Sequence, residues 1–144
     1  MNKAMKLAEQ IQAMQDEILP TIPAETLQLL QQTTRELADT GIAGAALKVG
    51  DRCPEFSLPS ARGGNIAITD KLANGPLVIS FYRGAWCPYC NLEIRGLSAH
   101  YNSIRDHGAD LVAISPQVAS KAEAQSTALD LQFDVLSDVG NAVA

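Results

Sequence analysis

The chain has 144 residues, about one domain's worth and enough to bury a substantial core. A formal net charge of −5, with 11 Lys+Arg against 16 Asp+Glu and no basic cluster interleaved with aromatics, argues against nucleic acid and anionic membrane surfaces as partners. No run approaches the ~18 uninterrupted apolar residues of a membrane span, and Met1-Asn2-Lys3-Ala4-Met5-Lys6 lacks the apolar stretch of a secretory signal, so the expected compartment is the cytoplasm.

In chain order, Ala4, Leu7, Ile11, Met14 and Ile18 recur at 3,4 spacing and predict an amphipathic helix over Ala4–Leu19, ended by Pro20 and Pro23. A second helix, Pro23–Leu37, begins at a proline suited to a first turn, carries Leu27, Leu30, Thr34 and Leu37 on one face, and stops at Gly41. The pair forms a hairpin whose stripes serve packing, on the domain or on a second copy of the chain. Residues 1–46 are thus expected to be a helical extension and 47–144 the main domain.

After a linker over 42–50 the texture changes. Cys53 to Pro59 is extended, Arg62-Gly63-Gly64-Asn65 is a turn, and Asn65 to Thr69 alternates as a short strand, which together predict a β-hairpin. A buried strand follows over Leu77–Tyr82, then a helix from about Pro88 to His107 stopped by Gly108, and a second buried strand over Ala109–Ser115. Strand, helix and strand in that order predict a parallel crossover. Beyond Pro116 come a helix over about Ala119–Leu129, a short strand over Phe133–Leu136 and a turn at Ser137 to Asn141. The fold class is α/β.

The feature with the most chemistry in it is Cys87-Pro88-Tyr89-Cys90, between the first buried strand and its helix. The first turn of a helix leaves backbone N–H groups without intrahelical partners. Those donors and the macrodipole favour negative charge, so a thiol placed there ionises near neutral pH and its partner can close a disulfide. Three cysteines are too few for a disulfide scaffold, and a C-x-x-C beside a βα pattern reads as dithiol redox chemistry. A structural zinc needs about four ligands. Cys53, His100 and His107 are the only other sulfur or imidazole candidates and form no second close pair, so neither a metal nor another cofactor is expected. Cys53 is expected to be a packed thiol, with a resolving role as the alternative.

Around the pair, Arg83 is placed to stabilise a thiolate or orient a peroxide oxygen, or else to pair with Glu93 or simply be solvated. Glu93 stands three residues after Cys90 as a proton acceptor or a surface carboxylate. Trp86 and Tyr89 either shape an apolar docking surface or pack in the core. Pro88 supports the first turn and tunes redox poise. His100 and His107 lie too far along the helix for a Cys–His pair and are expected at the surface.

At these residues the chain resembles the alkyl hydroperoxide reductase and thiol-specific antioxidant superfamily, the peroxiredoxins on a thioredoxin-like fold. The resemblance is carried by Lys48 to Pro59, by the signature Phe-Tyr-Arg-Gly-Ala-Trp-Cys-Pro-Tyr-Cys-Asn-Leu-Glu at 81–93, and by Phe133 to Asp138. It implies a three-layer thioredoxin-like fold with the N-terminal hairpin added, and a C-terminal part shortened relative to the family. It also nominates two different nucleophiles. The peroxiredoxin pattern puts Arg83 at its proline, Cys87 at its threonine and Cys90 at the peroxidatic position. The thioredoxin and glutaredoxin pattern makes Cys87 the attacking thiol. We lean to Cys87, expecting the helix-terminal thiol to be the more exposed and the more ionised.

The expected function is a thiol-dependent oxidoreductase that reduces peroxides or disulfides through Cys87 and Cys90 and is reset by thioredoxin or glutathione. The alternatives are a glutaredoxin- or thioredoxin-like disulfide reductase without peroxidase activity, and a non-catalytic redox-sensing or association module. A homodimer or larger assembly through the N-terminal helices is expected in either case.

Overall fold

The computed structural model describes residues 5–144 and divides into two compact units, one reaching to Pro54 and the other Glu55–Ala144. The first holds α1 (Leu7–Ile18), a 3₁₀ turn over Leu19–Thr21, α2 (Ala24–Asp39) and a second 3₁₀ turn over Ile42–Ala45. At the start of α1 the Lys6 backbone N–H donates to Glu9 Oε2 at 2.8 Å. Pro23 precedes α2, and Gly41, at φ +69, takes the left-handed conformation just past its end. α1 falls within its expected range, though Ala4 lies outside the described residues, and α2 runs two residues past the expected end at Leu37. No described residue of this unit is buried.

The second unit runs β1 (Ser57–Pro59), β2 (Asn65–Ala67), α3 (Ile68–Leu72), β3 (Leu77–Phe81), α4 (Pro88–Asp106), β4 (Asp110–Ser115), α5 (Ala119–Ala128) and β5 (Asp134–Ser137). β1 and β2 form the expected antiparallel hairpin. The second strand is shorter than its alternation suggests, because Ile68 and Thr69 belong to α3. There Ile68 is buried, so an alternating apolar residue reaches the core from a helix rather than from a strand.

β3, β4 and β5 form a parallel sheet with β4 in the centre, Ile79 opposite Val112 and Ala113 opposite Val135. Leu111 to Ser115 are all buried, as expected of a central strand covered on both faces. Leu111 and Ala113 point to one face, where they pack with Cys87, Cys90, Ile94 of α4 and Ala122 of α5. Val112 and Ile114 point to the other and pack with Leu58 and Leu136, flanked by Phe56 and Ile66 of the hairpin segment. β5 starts one residue later than expected; Phe133 lies just before it, fully buried and stacked at a tilt on Tyr101 of α4. The arrangement is α/β with a sheet between two layers. At the sheet edge where β4 and β5 begin, Lys71 bridges Asp110 (3.0 Å) and Asp134 (2.6 Å). Among the described residues no helix is long and apolar enough to cross a membrane.

Candidate active site

The site lies where β3 ends and α4 begins. Cys87 is the residue before the helix, in extended conformation, and Pro88 occupies the first helical position. A thiol therefore stands where a serine or aspartate usually caps a helix, and its sulfur accepts from the backbone N–H of Cys90 at 3.4 Å. Arg83 donates from Nη2 to the same sulfur at 3.1 Å, and its guanidinium lies 4.8 Å from the centre of the Trp86 ring. Cys90 heads the apolar stripe of α4, followed by Ile94, Leu97, Tyr101 and Ile104, so it faces the sheet. Three residues apart across a helix start, the two side chains are neighbours, and both cysteines are free thiols.

The environment separates the two. Burial pushes the Cys87 thiol up, but hydrogen bonds from the Cys90 side chain and N–H and from Arg83, with the charge of Arg83, outweigh it and leave Cys87 below the usual thiol range. Burial also pushes Cys90 up, and Cys87 as its neighbour raises it further. Arg83 is held protonated more firmly by the same contact with Cys87. The expectation that Cys87 is the more exposed thiol is not met: it is 0% exposed against 8% for Cys90, because the cap position turns its sulfur inward, into the same core cluster as Cys90, Tyr82 and Ala113. The lowering of its pKa rests on directed donors and not on solvent.

Beside the pair lies an open hollow of about 440 Å³ lined by Phe81, Tyr82, Arg83, Trp86, Pro116 and Asn141. Neither cysteine lines it; Arg83 does, and is hydrogen-bonded to the Cys87 sulfur. Trp86 is 67% exposed, and Tyr89 is partly so, which places both on the outside rather than in the core. The carboxylate of Glu93 accepts from Ser80 at 3.3 Å, while Arg83 is engaged with Cys87 and Trp86. Cys53 belongs to the first unit, partly buried, with its sulfur near the carbonyl of Pro54. His100 is exposed on α4 and His107 just past its end, each with Nδ1 on the carbonyl four residues earlier. Among the described residues no cluster of three or more His, Cys, Asp or Glu is placed to hold a metal ion.

A set of polar side chains given no role in the sequence reading gathers behind the loop over 83–86: Tyr82 and Asn91 from the signature, and Gln117 and Gln125 from outside it. Ala85 donates its N–H to Gln117 Oε1 and accepts at its carbonyl from Asn91 Nδ2, both at 2.8 Å. Gln125 and the Tyr82 hydroxyl complete the connection and are buried. One sequence signal points to this set. Ala122 and Gln125 of α5 and Leu129 just past its end recur at 3,4 spacing, so a glutamine occupies a core position of an apolar stripe.

Residues 49–144 match the AhpC/TSA family. The chain is 34% identical over 92 residues to Peroxiredoxin Bcp of Escherichia coli strain K12, covering 64% of this chain and 58% of that protein. It is 29% identical over 121 residues to the chloroplastic Peroxiredoxin Q of Triticum aestivum, covering 84% of this chain and 55% of that one. The chain therefore spans little more than half the length of these relatives. Among solved structures it is similar to Peroxidoxin BcpB from Mycobacterium tuberculosis, with a TM-score of 0.66 at 26% identity, covering 68% of this chain and 64% of that one.

Proposed function

The chain belongs to the AhpC/TSA family, and on that footing we propose that it is a thiol-dependent peroxide-reducing oxidoreductase in which Cys87 attacks and Cys90 resolves. The observation that carries the assignment is the pair of donors on one sulfur, Arg83 Nη2 at 3.1 Å and Cys90 N–H at 3.4 Å. Such donors favour the thiolate, which is the nucleophile.

The Cys87 thiolate attacks the terminal oxygen of a hydroperoxide. The S–O bond forms as the O–O bond breaks, the departing alkoxide takes a proton and leaves as alcohol, and Cys87 becomes a sulfenic acid. Cys90 then attacks the Cys87 sulfur; hydroxide leaves and takes the Cys90 proton as water, and the disulfide closes. Two electrons pass from the dithiol to the peroxide. An external dithiol, of the thioredoxin type, or glutathione restores the pair by exchange. Peroxide enters through the hollow beside Trp86, where Arg83, which lines that hollow, donates a second N–H to the peroxide oxygen while its Nη2 stays on the sulfur. Because Cys87 is fully covered at rest, the side chains over its sulfur must part to admit the peroxide.

The remaining assignments follow from this reading. Residues 47–144 carry the chemistry, with Trp86 and Tyr89 as a docking surface and Pro88 and Glu93 in supporting positions, and 1–46 form the extension. The helices of that extension drive self-association. The cytoplasm, a reducing compartment, keeps the three thiols available. Steady-state peroxide consumption coupled to a thioredoxin-reducing system tests the function. Turnover that is lost in both Cys87→Ser and Cys90→Ser is expected. Disulfide reduction with no peroxide turnover in the native chain overturns the peroxide reading in favour of a plain disulfide reductase.

A further inference from the structure

The hydrogen bonds behind the loop over 83–86 close into a ring running head to tail. Ala85 N–H donates to Gln117 Oε1 (2.8 Å); Gln117 Nε2 donates to the Tyr82 hydroxyl (3.4 Å); that hydroxyl donates to Gln125 Oε1 (2.8 Å). Gln125 Nε2 then donates to Asn91 Oδ1 (2.8 Å), and Asn91 Nδ2 returns to the Ala85 carbonyl (2.8 Å). Gln117 Nε2 also reaches Ser115 Oγ at 3.2 Å and Gln125 Oε1 at 3.4 Å. Each amide nitrogen donates and each amide oxygen accepts, so the ring fixes the orientation of all three amides.

Four separate pieces of chain meet in this ring: the end of β3, the first turn of α4, the segment after β4, and α5. Their common point is one residue, Ala85, whose N–H and carbonyl, in the two peptide units that flank it, are both taken by side chains. The shape of the loop at Gly84 is set by the same glutamine. A β-carbon on Gly84, at φ +139, would stand 3.0 Å from Gln117 Cδ and Oε1 and from Trp86 Cδ1. From this loop Cys87 N–H donates back to the Gly84 carbonyl at 3.1 Å, and Arg83 turns onto the Cys87 sulfur. A partly satisfied polar network is worse for a buried site than apolar packing. This one is closed on itself, and what it holds in place is the loop over 83–86.

We propose that Gln117 and Gln125, neither of them in the Cys-Pro-Tyr-Cys segment, are positioning residues that lock the backbone on both sides of Ala85 so that Arg83 stays on the Cys87 sulfur. The proposal rests on the reading of Cys87 as the thiolate. The titratable groups acting on Cys87 are Arg83 and Cys90. Loosening the loop moves Arg83 away and leaves Cys90 in place, so the thiolate loses one of its two donors. Both glutamines act through a single circuit, so breaking it at either point has the same consequence.

The test is the pH dependence of iodoacetamide alkylation at Cys87, read by peptide mass spectrometry in the native chain, Gln117→Met, Gln125→Leu and the double variant. Expected is a midpoint below the ordinary thiol value of about 8.5 in the native chain. In each single variant the midpoint moves upward, the rate at pH 7 falls about three- to tenfold, and the limiting rate at high pH is unchanged. The double variant shifts no further than the larger single one. Folded variants with an unmoved midpoint, or additive shifts in the double variant, overturn the proposal. A native midpoint at or above the ordinary value fails the thiolate reading instead. If Gln125→Leu does not fold, the partly exposed Gln117→Met and a second variant, Gln117→Asn, decide alone: unmoved midpoints in both overturn the proposal.

Discussion

The backbone N–H of Cys90 donates to the sulfur of Cys87 at 3.4 Å, so one cysteine's amide stabilises charge on the other's side chain. The relationship is not mutual. Cys87 sits before the helix and receives the free donors of the first turn, while Cys90 sits within the helix and faces the sheet. Identical side chains three residues apart are thereby assigned different work.

Arg83 supplies the second donor. Arg83→Gln is expected to raise the pH midpoint of Cys87 reactivity and to slow its reaction at pH 7 by about three- to tenfold, a modest effect because the guanidinium is exposed to solvent. Arg83→Lys restores the charge without the planar fork and recovers only part of the rate. Stopped-flow peroxide reduction across pH 5 to 9 measures both.

The motif region was legible because its chemistry depends on neighbours in the chain: Cys87, Pro88 and Cys90 lie within one turn, and Arg83 lies one loop earlier. The parallel strands were legible as apolar runs, since β4 is buried on both faces. Ile68 misled because two or three alternating residues fit a strand and a helix start equally well. The polar ring as a whole was not legible: a glutamine in the apolar stripe marks Gln125, but Asn91, Gln117 and Gln125 stand at separations of 26 and 8, and only folding brings their amides together around Ala85. The inward turn of the Cys87 sulfur was also hidden, because position before a helix does not specify exposure.

Lys71 is expected to stabilise the domain in a pH-dependent way. Burial pulls its ammonium down, but hydrogen bonds and charge from Asp134 and Asp110 raise it overall. For Asp110, burial pushes upward and is outweighed by the Leu111 N–H, Lys71 and Tyr101, which hold the carboxyl below its ordinary value. The Asp110 contribution is therefore present above an unfolded pKa of about 3.9 and is lost as pH falls through the lower folded value. That of Lys71 is full below about 10.4 and is lost as pH rises through the higher folded value. Lys71→Met leaves two carboxylates facing one another and costs about 1–3 kcal/mol at pH 7. Urea unfolding at pH 7 and pH 3 checks this, with the difference between variant and native chain shrinking at pH 3.

Gly75 has φ +136, and a β-carbon there would stand 2.5 Å from the carbonyl oxygen of Gly108. Gly75→Ala meets both a backbone obstacle and an unfavourable conformation, so it is expected to destabilise by more than about 1 kcal/mol. The change reads as a lower urea midpoint with an unchanged slope.

Leu30 and Leu37 of α2 are 52% and 57% exposed, with Leu29 at 58%. An exposed stripe of this kind is expected to be covered in a homodimer or larger assembly. Light scattering at micromolar concentration should give at least twice the 15.3 kDa of the chain, and Leu30→Glu with Leu37→Glu should return a folded monomer. A native chain that is already monomeric contradicts the association.

Peptide mapping by mass spectrometry, after one equivalent of hydrogen peroxide and differential alkylation, tests the dithiol assignment most directly. The account predicts a disulfide between Cys87 and Cys90 with Cys53 still alkylated, and in Cys90→Ser a sulfenic acid on Cys87. A bridge to Cys53, or a sulfenic acid that forms on Cys90 in Cys87→Ser while Cys90→Ser stays inert, would contradict it.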